Sequence, residues 1–93
     1  MIRSFANRDT GAFFETRDGR VFPADIQRTA LRKLAQLHSV TLLNQLSIPP
    51  GNRLEALKGG RKGQHSIPIN DQWRICFRWK ADGPHEVEII DYH

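Results

Sequence analysis

Between Gln72 and Lys80 the side chains alternate without a break: Trp73, Ile75, Phe77 and Trp79 are apolar, and Arg74, Cys76, Arg78 and Lys80 interleave them. A period of two describes a β-strand with one face on a core and the other, here basic, turned away from it. The first half of the chain has a different period. Ile26, Ala30, Leu31, Leu34, Ala35 and Leu37 follow helical spacing from Pro23 to about His38, with Pro23 suited to a helix start and Asp25 to the positive end of its dipole. Helices followed by strands predict an α/β chain of the α+β kind, with N-terminal helices packed on one face of a largely antiparallel sheet of about four strands.

The neighbouring segments fill in that layout. Met1–Phe5 reads as a short strand, and Asn7 or Asp9 as the cap of a short helix that carries Phe13 and Phe14 and ends at Arg17-Asp18-Gly19-Arg20. Ser39 is expected to cap another short helix through Leu42, Leu43 and Leu46, stopped by Pro49-Pro50-Gly51. His65–Ile69 and Glu86–Ile90 flank the alternating strand, and Asn70-Asp71-Gln72 and Asp82-Gly83-Pro84 join them as turns of an antiparallel meander. Opposite residues share a face, so Ile67 and Ile69 should lie beside Ile75 and Trp73, and Val87 and Ile89 beside Trp79 and Phe77. That register sets Arg78 against Glu88, Lys80 against Glu86 and Arg74 against Tyr92, leaving Arg74 without a carboxylate. Pro68, which has no N–H, implies an open side or a bulge at its strand.

At 93 residues the chain has room for one domain, spanning 1–93, and one modest core. No apolar run approaches the ~20 residues of a membrane span and the N-terminus lacks a signal-peptide stretch, so the expected location is cytoplasmic. The single cysteine, Cys76, excludes an internal disulfide and a thiolate metal cluster. Fourteen basic and ten acidic residues give +4, and the charge is unevenly placed: residues 53–80 carry seven basic and two acidic groups, residues 81–93 none and four. Ten of the fourteen cations are arginine, whose planar fork binds phosphate and stacks on bases, so the two readings are a nucleic-acid partner and a plain solvated basic surface.

His38, His65, His85 and His93 have no zinc spacing, and Lys58-Gly59-Gly60-Arg61-Lys62-Gly63 reads as a flexible basic turn rather than a nucleotide cradle. Cys76 alternates within a strand with no base near it in sequence, which fits an inert packed thiol. The remaining chemistry lies in the loop Arg53-Leu54-Glu55-Ala56-Leu57-Lys58-Gly59, in Arg74 and in Asp91-Tyr92-His93. Together with Ser66-Ile67 and Gln72-Trp73-Arg74-Ile75, and with Pro49-Pro50-Gly51-Asn52-Arg53-Leu54-Glu55-Ala56-Leu57, these elements resemble the HigB toxins of the RelE/ParE superfamily. The opening Met1-Ile2-x-Ser4-Phe5 is similar too.

The resemblance implies a RelE-like fold, ribosome-dependent cleavage of mRNA without a cofactor or metal, and silencing by a co-encoded helix-turn-helix antitoxin related to HigA. It places Lys58, Arg74, Asp91, Tyr92 and His93 on active-site positions, and Glu55 where the family carries a histidine. Arg53, Arg61 and Lys62 join them as RNA-binding candidates. In such a site Arg74 and Lys58 would stabilise the phosphorane, His93 would serve as acid or base, Glu55 would be a candidate base, and Asp91 would orient His93 or Arg74. Tyr92 would stack on a base or orient the phosphate, or else close the sheet by packing. An undisturbed pleat would turn Asp91 and His93 away from Arg74 and Tyr92, so a common site calls for a bulge or fraying at the end of the strand. The alternative on the same scaffold is a toxin that blocks ribosomal RNA or a topoisomerase without cutting.

Overall fold

The computed structural model describes residues 1–48 and 52–92. Two helices come first, α1 (Arg8–Thr16) and α2 (Ala24–Ser39). Asn7 caps α1 by accepting a hydrogen bond from the Thr10 N–H at 2.9 Å, and Arg17 ends it in the left-handed conformation at φ 64°. Pro23 precedes α2, where the absence of its N–H costs nothing. A 3-10 turn, Leu43–Ser47, follows. It is capped by Gln45, whose Oε1 reaches back to the N–H groups of Thr41 and Leu42 at 2.9 and 3.1 Å. Ser39, expected as the cap, is instead the last residue of α2 and donates to the Gln36 carbonyl. The expected stop at Pro49-Pro50-Gly51 lies outside the described residues.

Four antiparallel strands form one sheet in chain order: β1 (Glu55–Ala56), β2 (His65–Pro68), β3 (Trp73–Lys80) and β4 (Gly83–Asp91). The segment read as a loop from Arg53 to Gly59 thus contributes an edge strand. Met1–Phe5 does not form a full strand, but it runs along the outer side of β4 through a parallel bridge from Phe5 to Val87. Ser4 O, Arg3 N–H and Ala6 N–H bond to β4, and Thr10 Oγ1 accepts from the Ile89 N–H at 3.0 Å, so the β4 edge is covered. At the other edge β1 spans only the first half of β2, which leaves an open side at Pro68.

Ile67 pairs with Ile75, and the Ile69 N–H bonds the Trp73 carbonyl at 2.8 Å, as the alternation requires. The β3–β4 register differs from the expected one. The turn is two residues long, Ala81-Asp82, since Lys80 pairs with Gly83 and Trp79 with Pro84. Between Arg78↔His85 and Cys76↔Glu88, β4 has two residues, Glu86 and Val87, against Phe77 alone, and Glu86 takes φ 51°. This bulge restores the pleat, so Val87 and Ile89 still face the core, but at the level of Phe77 and Ile75.

The core is Phe13, Phe22, Ile26, Ala30, Leu34, Leu37 and Leu46 from the helical half against Ile67, Ile69, Ile75, Phe77, Val87 and Ile89 from the sheet. Phe22 bridges the layers, 5.4 Å from Phe13 and edge-on to Trp73 at 6.2 Å between ring centroids. Ala35, expected inside, is exposed, and the buried stripe of α2 runs Ile26, Ala30, Lys33, Leu34, Leu37. No helix is long and apolar enough to cross a membrane, among the described residues.

Candidate active site

With its apolar side on the helices, the sheet presents Ser66, Arg74, Cys76, Arg78 and Glu88 on the opposite face. One row crosses all four strands, Glu55↔Ser66↔Cys76↔Glu88, and the next holds Pro68↔Arg74↔Ile90. Arg74 lies diagonally across these rows. Its Nε donates to Ser66 Oγ at 2.8 Å, an Nη donates to Glu55 Oε2 at 3.3 Å, and its guanidinium carbon sits 5.5 Å from the centre of the Tyr92 ring. The arginine expected to be unpaired therefore has a carboxylate partner, supplied by the edge strand β1. That contact is weak, because Glu55 has 57% of its side chain exposed, and exposed pairs contribute ~0.2–1 kcal/mol. An incoming phosphate can take the place of Glu55 on the guanidinium without a large cost.

The register also reassigns the other basic groups. Arg78 pairs with Glu86 at 3.0 Å rather than with Glu88, because the bulge brings Glu86 alongside. Glu88 instead accepts from Arg61 at 2.9 Å, and this bond holds the Arg61 guanidinium more firmly in its charged form. Lys80, expected against Glu86, stands opposite Gly83. Arg61 is thus tied to the sheet face, with Gln64 as a second partner at 3.0 Å. Lys58 precedes a 3-10 turn (Gly59–Arg61) and is exposed, as is Lys62 just after it; neither forms an ion pair among the described residues. Burial pushes the Cys76 thiol up to about 11, so it stays protonated and inert at neutral pH.

Tyr92 follows the end of β4, held by a 2.7 Å bond from its N–H to the Gln72 carbonyl, and lies on the Arg74 side. Asp91 is opposite Trp73, on the other side of the pleat, and accepts from Gln72 Nε2 at 3.0 Å. The structure therefore brings Arg74, Glu55 and Tyr92 together, and the pleat sets Asp91 on the side of Trp73. His93 lies outside the described residues.

Beside Arg74, between α2 and the β2–β3 turn, is a cleft of about 330 Å³ lined by Lys33, Arg53, Pro68, Ile69, Asn70, Asp71 and Arg74. Arg53 is exposed, with φ 45°, a conformation uncommon outside glycine. Its neighbour Asn52 is 1% exposed and donates through Nδ2 to Leu46 O at 3.0 Å and to Gln36 Oε1 at 2.8 Å. Asn52 therefore pins the start of this segment to α2 and positions Arg53. Asn52→Ala should lower stability by ~1–3 kcal/mol through the buried acceptor it abandons, measurable by urea unfolding. The same change should free Arg53 from its anchor to α2.

Two residues of this site escape the sequence reading. Lys33 falls on the apolar stripe of α2, seven positions after Ile26, and its place on that stripe is the one sequence signal it carries. Ser66 alternates with Ile67 and carries no mark of its own. Among the described residues, no three His, Cys, Asp or Glu side chains are grouped to hold a metal ion.

Comparison with known proteins accords with this geometry. The model of the family described as RelE-like toxin of type II toxin-antitoxin system HigB matches residues 3–93. The chain is 36% identical over 94 aligned positions to Toxin HigB-1 of Vibrio cholerae serotype O1 (strain ATCC 39315 / El Tor Inaba N16961), covering 100% of this chain and 98% of that one. It is 31% identical over 94 positions to Endoribonuclease HigB of Proteus vulgaris, covering 100% of both. A full-length match to the family model and two full-length relatives leave one assignment: this chain belongs to the RelE-like HigB toxins of type II toxin–antitoxin systems, a class whose members have a cognate antitoxin.

Proposed function

We propose that this chain is an endoribonuclease that cuts mRNA on the ribosome and so stops translation. The observation that carries the reading is the cluster of Arg74, Glu55 and Tyr92 on the face of the sheet that the helices leave open. Support comes from the full-length relative named as an endoribonuclease.

The reaction asks little of the protein beyond placing charge and moving protons. The 2′-oxygen attacks the adjacent phosphorus and loses its proton to a base; the bond to the 5′-oxygen breaks, and that oxygen takes a proton from an acid. The products are a 2′,3′-cyclic phosphate and a 5′-hydroxyl end. Arg74 would face the phosphorane, already held in place by Ser66 and by the Tyr92 ring. Glu55 would take the proton from the 2′-hydroxyl once the phosphate replaces it on Arg74, and His93 would supply the acid. Tyr92 would stack on a nucleobase, Lys58 would add charge from the neighbouring turn, and Asp91 would orient the chain end. The site uses the chain's own side chains and no cofactor, acts in the cytoplasm where ribosomes are, and is silenced by a helix-turn-helix antitoxin encoded beside it.

The test is direct. Purified protein added to ribosomes translating a defined message should yield new 5′-hydroxyl ends inside the reading frame, and none on the same message without ribosomes. Translation arrest with an uncut message would replace this reading with that of a toxin that blocks without cutting.

A further inference from the structure

Lys33 is the one charged residue that is buried among those described, at 7% exposure. Its Nζ donates to the Pro68 carbonyl, and no carboxylate pairs with it among the described residues. A buried ammonium without a counter-charge is costly, and here two further cations raise the cost. Burial lowers the Lys33 pKa, and the nearby charges of Arg32 and Arg74 lower it further. Lys33 also lines the cleft beside Arg74, together with Arg53; against these three cations the lining holds one acidic residue, Asp71. A position that gathers positive charge at a cost to stability, in an open cleft next to a candidate reaction centre, has the character of a site for an anion.

We propose that this cleft is a second phosphate subsite, in which Lys33, Arg53 and Arg74 hold the backbone phosphate next to the one that is cut. The proposal rests on reading the protein as a nuclease of single-stranded RNA, since it takes the ligand to be the same strand. Lys33 suits the task better than exposed Lys58 or Lys62. Its stem is already fixed in the core, so little side-chain freedom is lost on binding.

Lys33→Met keeps the apolar stem and removes the charge, and Arg53→Ala removes an exposed cation from the same cleft. The probe is a short single-stranded RNA of mixed sequence, titrated into the parent protein and each variant over a range of salt concentrations. Each variant should bind about tenfold more weakly at low salt and lose ~0.7 from the slope of log affinity against log salt, the value of one single-strand phosphate contact. Lys80→Met, the same loss of charge at the far end of β3, should stay near the parent. Lys33→Met should melt no lower than the parent; if it fails to fold, Arg53→Ala decides. Parent-like affinity and slope in folded Lys33→Met would overturn the proposal, as would parent protein that does not bind this RNA at low salt. The assay needs no turnover. Parent protein that binds this RNA through the cleft yet leaves a message translated on ribosomes uncut would remove the nuclease reading and leave the cleft as a phosphate site, whereas a translated message cut normally by folded Lys33→Met with parent-like RNA binding would remove this proposal alone.

Discussion

Arg74→Ala should lower ribosome-dependent mRNA cleavage by about 10²–10³-fold, the usual loss when one donor to developing oxyanion charge is removed. The protein should stay folded. The bonds lost are those to Ser66 and Glu55, with 18% of the arginine side chain exposed, and the chain's core lies on the other side of the sheet. Arg78→Ala provides the contrast. It loses an exposed pair with Glu86 worth ~0.2–1 kcal/mol and should cut mRNA at close to the parent rate. Equal loss of cleavage in both folded variants would mean that general charge on this face, and not Arg74, carries the effect.

Phe77→Ala should be the most destabilising single change in the sheet, costing ~3–5 kcal/mol of the ~5–15 kcal/mol typical of such a domain. Phe77 has no exposure, stacks on His65 at 6.2 Å, and sits opposite the bulge at Glu86 and Val87. Its removal opens a cavity at the point where β4 changes register, so the strand end that carries Tyr92 should loosen as well. Urea unfolding gives the size of the loss. Cleavage should fall with the folded fraction, in contrast to Arg74→Ala, where it falls in a folded protein.

The contrast between these two variants follows what was legible in the sequence. The alternation from Trp73 to Trp79 declares the core face of β3 outright, because apolar burial imposes a period that any reader can see. The β2–β3 register was equally open, since the three-residue Asn70-Asp71-Gln72 turn is closed by Asn70 Oδ1 accepting from the Gln72 and Trp73 N–H groups at 2.8 and 2.7 Å. The β3–β4 register was not. It turns on Glu86 adopting φ 51°, and a glutamate carries no sequence mark for a conformation usually left to glycine. One displaced residue was enough to exchange the partners of Arg78 and Glu88.

The site was legible in its residue types and less so in its pairings. Glu55 belongs to a strand of two residues, too short to show any period, so its contact with Arg74 was out of reach. Lys33 was hidden for a different reason: a cation on an apolar stripe is read as facing water until the fold closes over it. Asn52 likewise owes its importance to two acceptors distant in sequence, Gln36 and Leu46.

Growth arrest by this chain is proposed to come from mRNA cut with the help of Arg74. The most direct test is to induce the parent chain and Arg74→Ala separately in cells without the antitoxin and to map 5′-hydroxyl ends across all transcripts. New ends within coding regions should appear at once with the parent and be absent with the equally abundant variant. Growth arrest by the parent with no such ends would contradict the account.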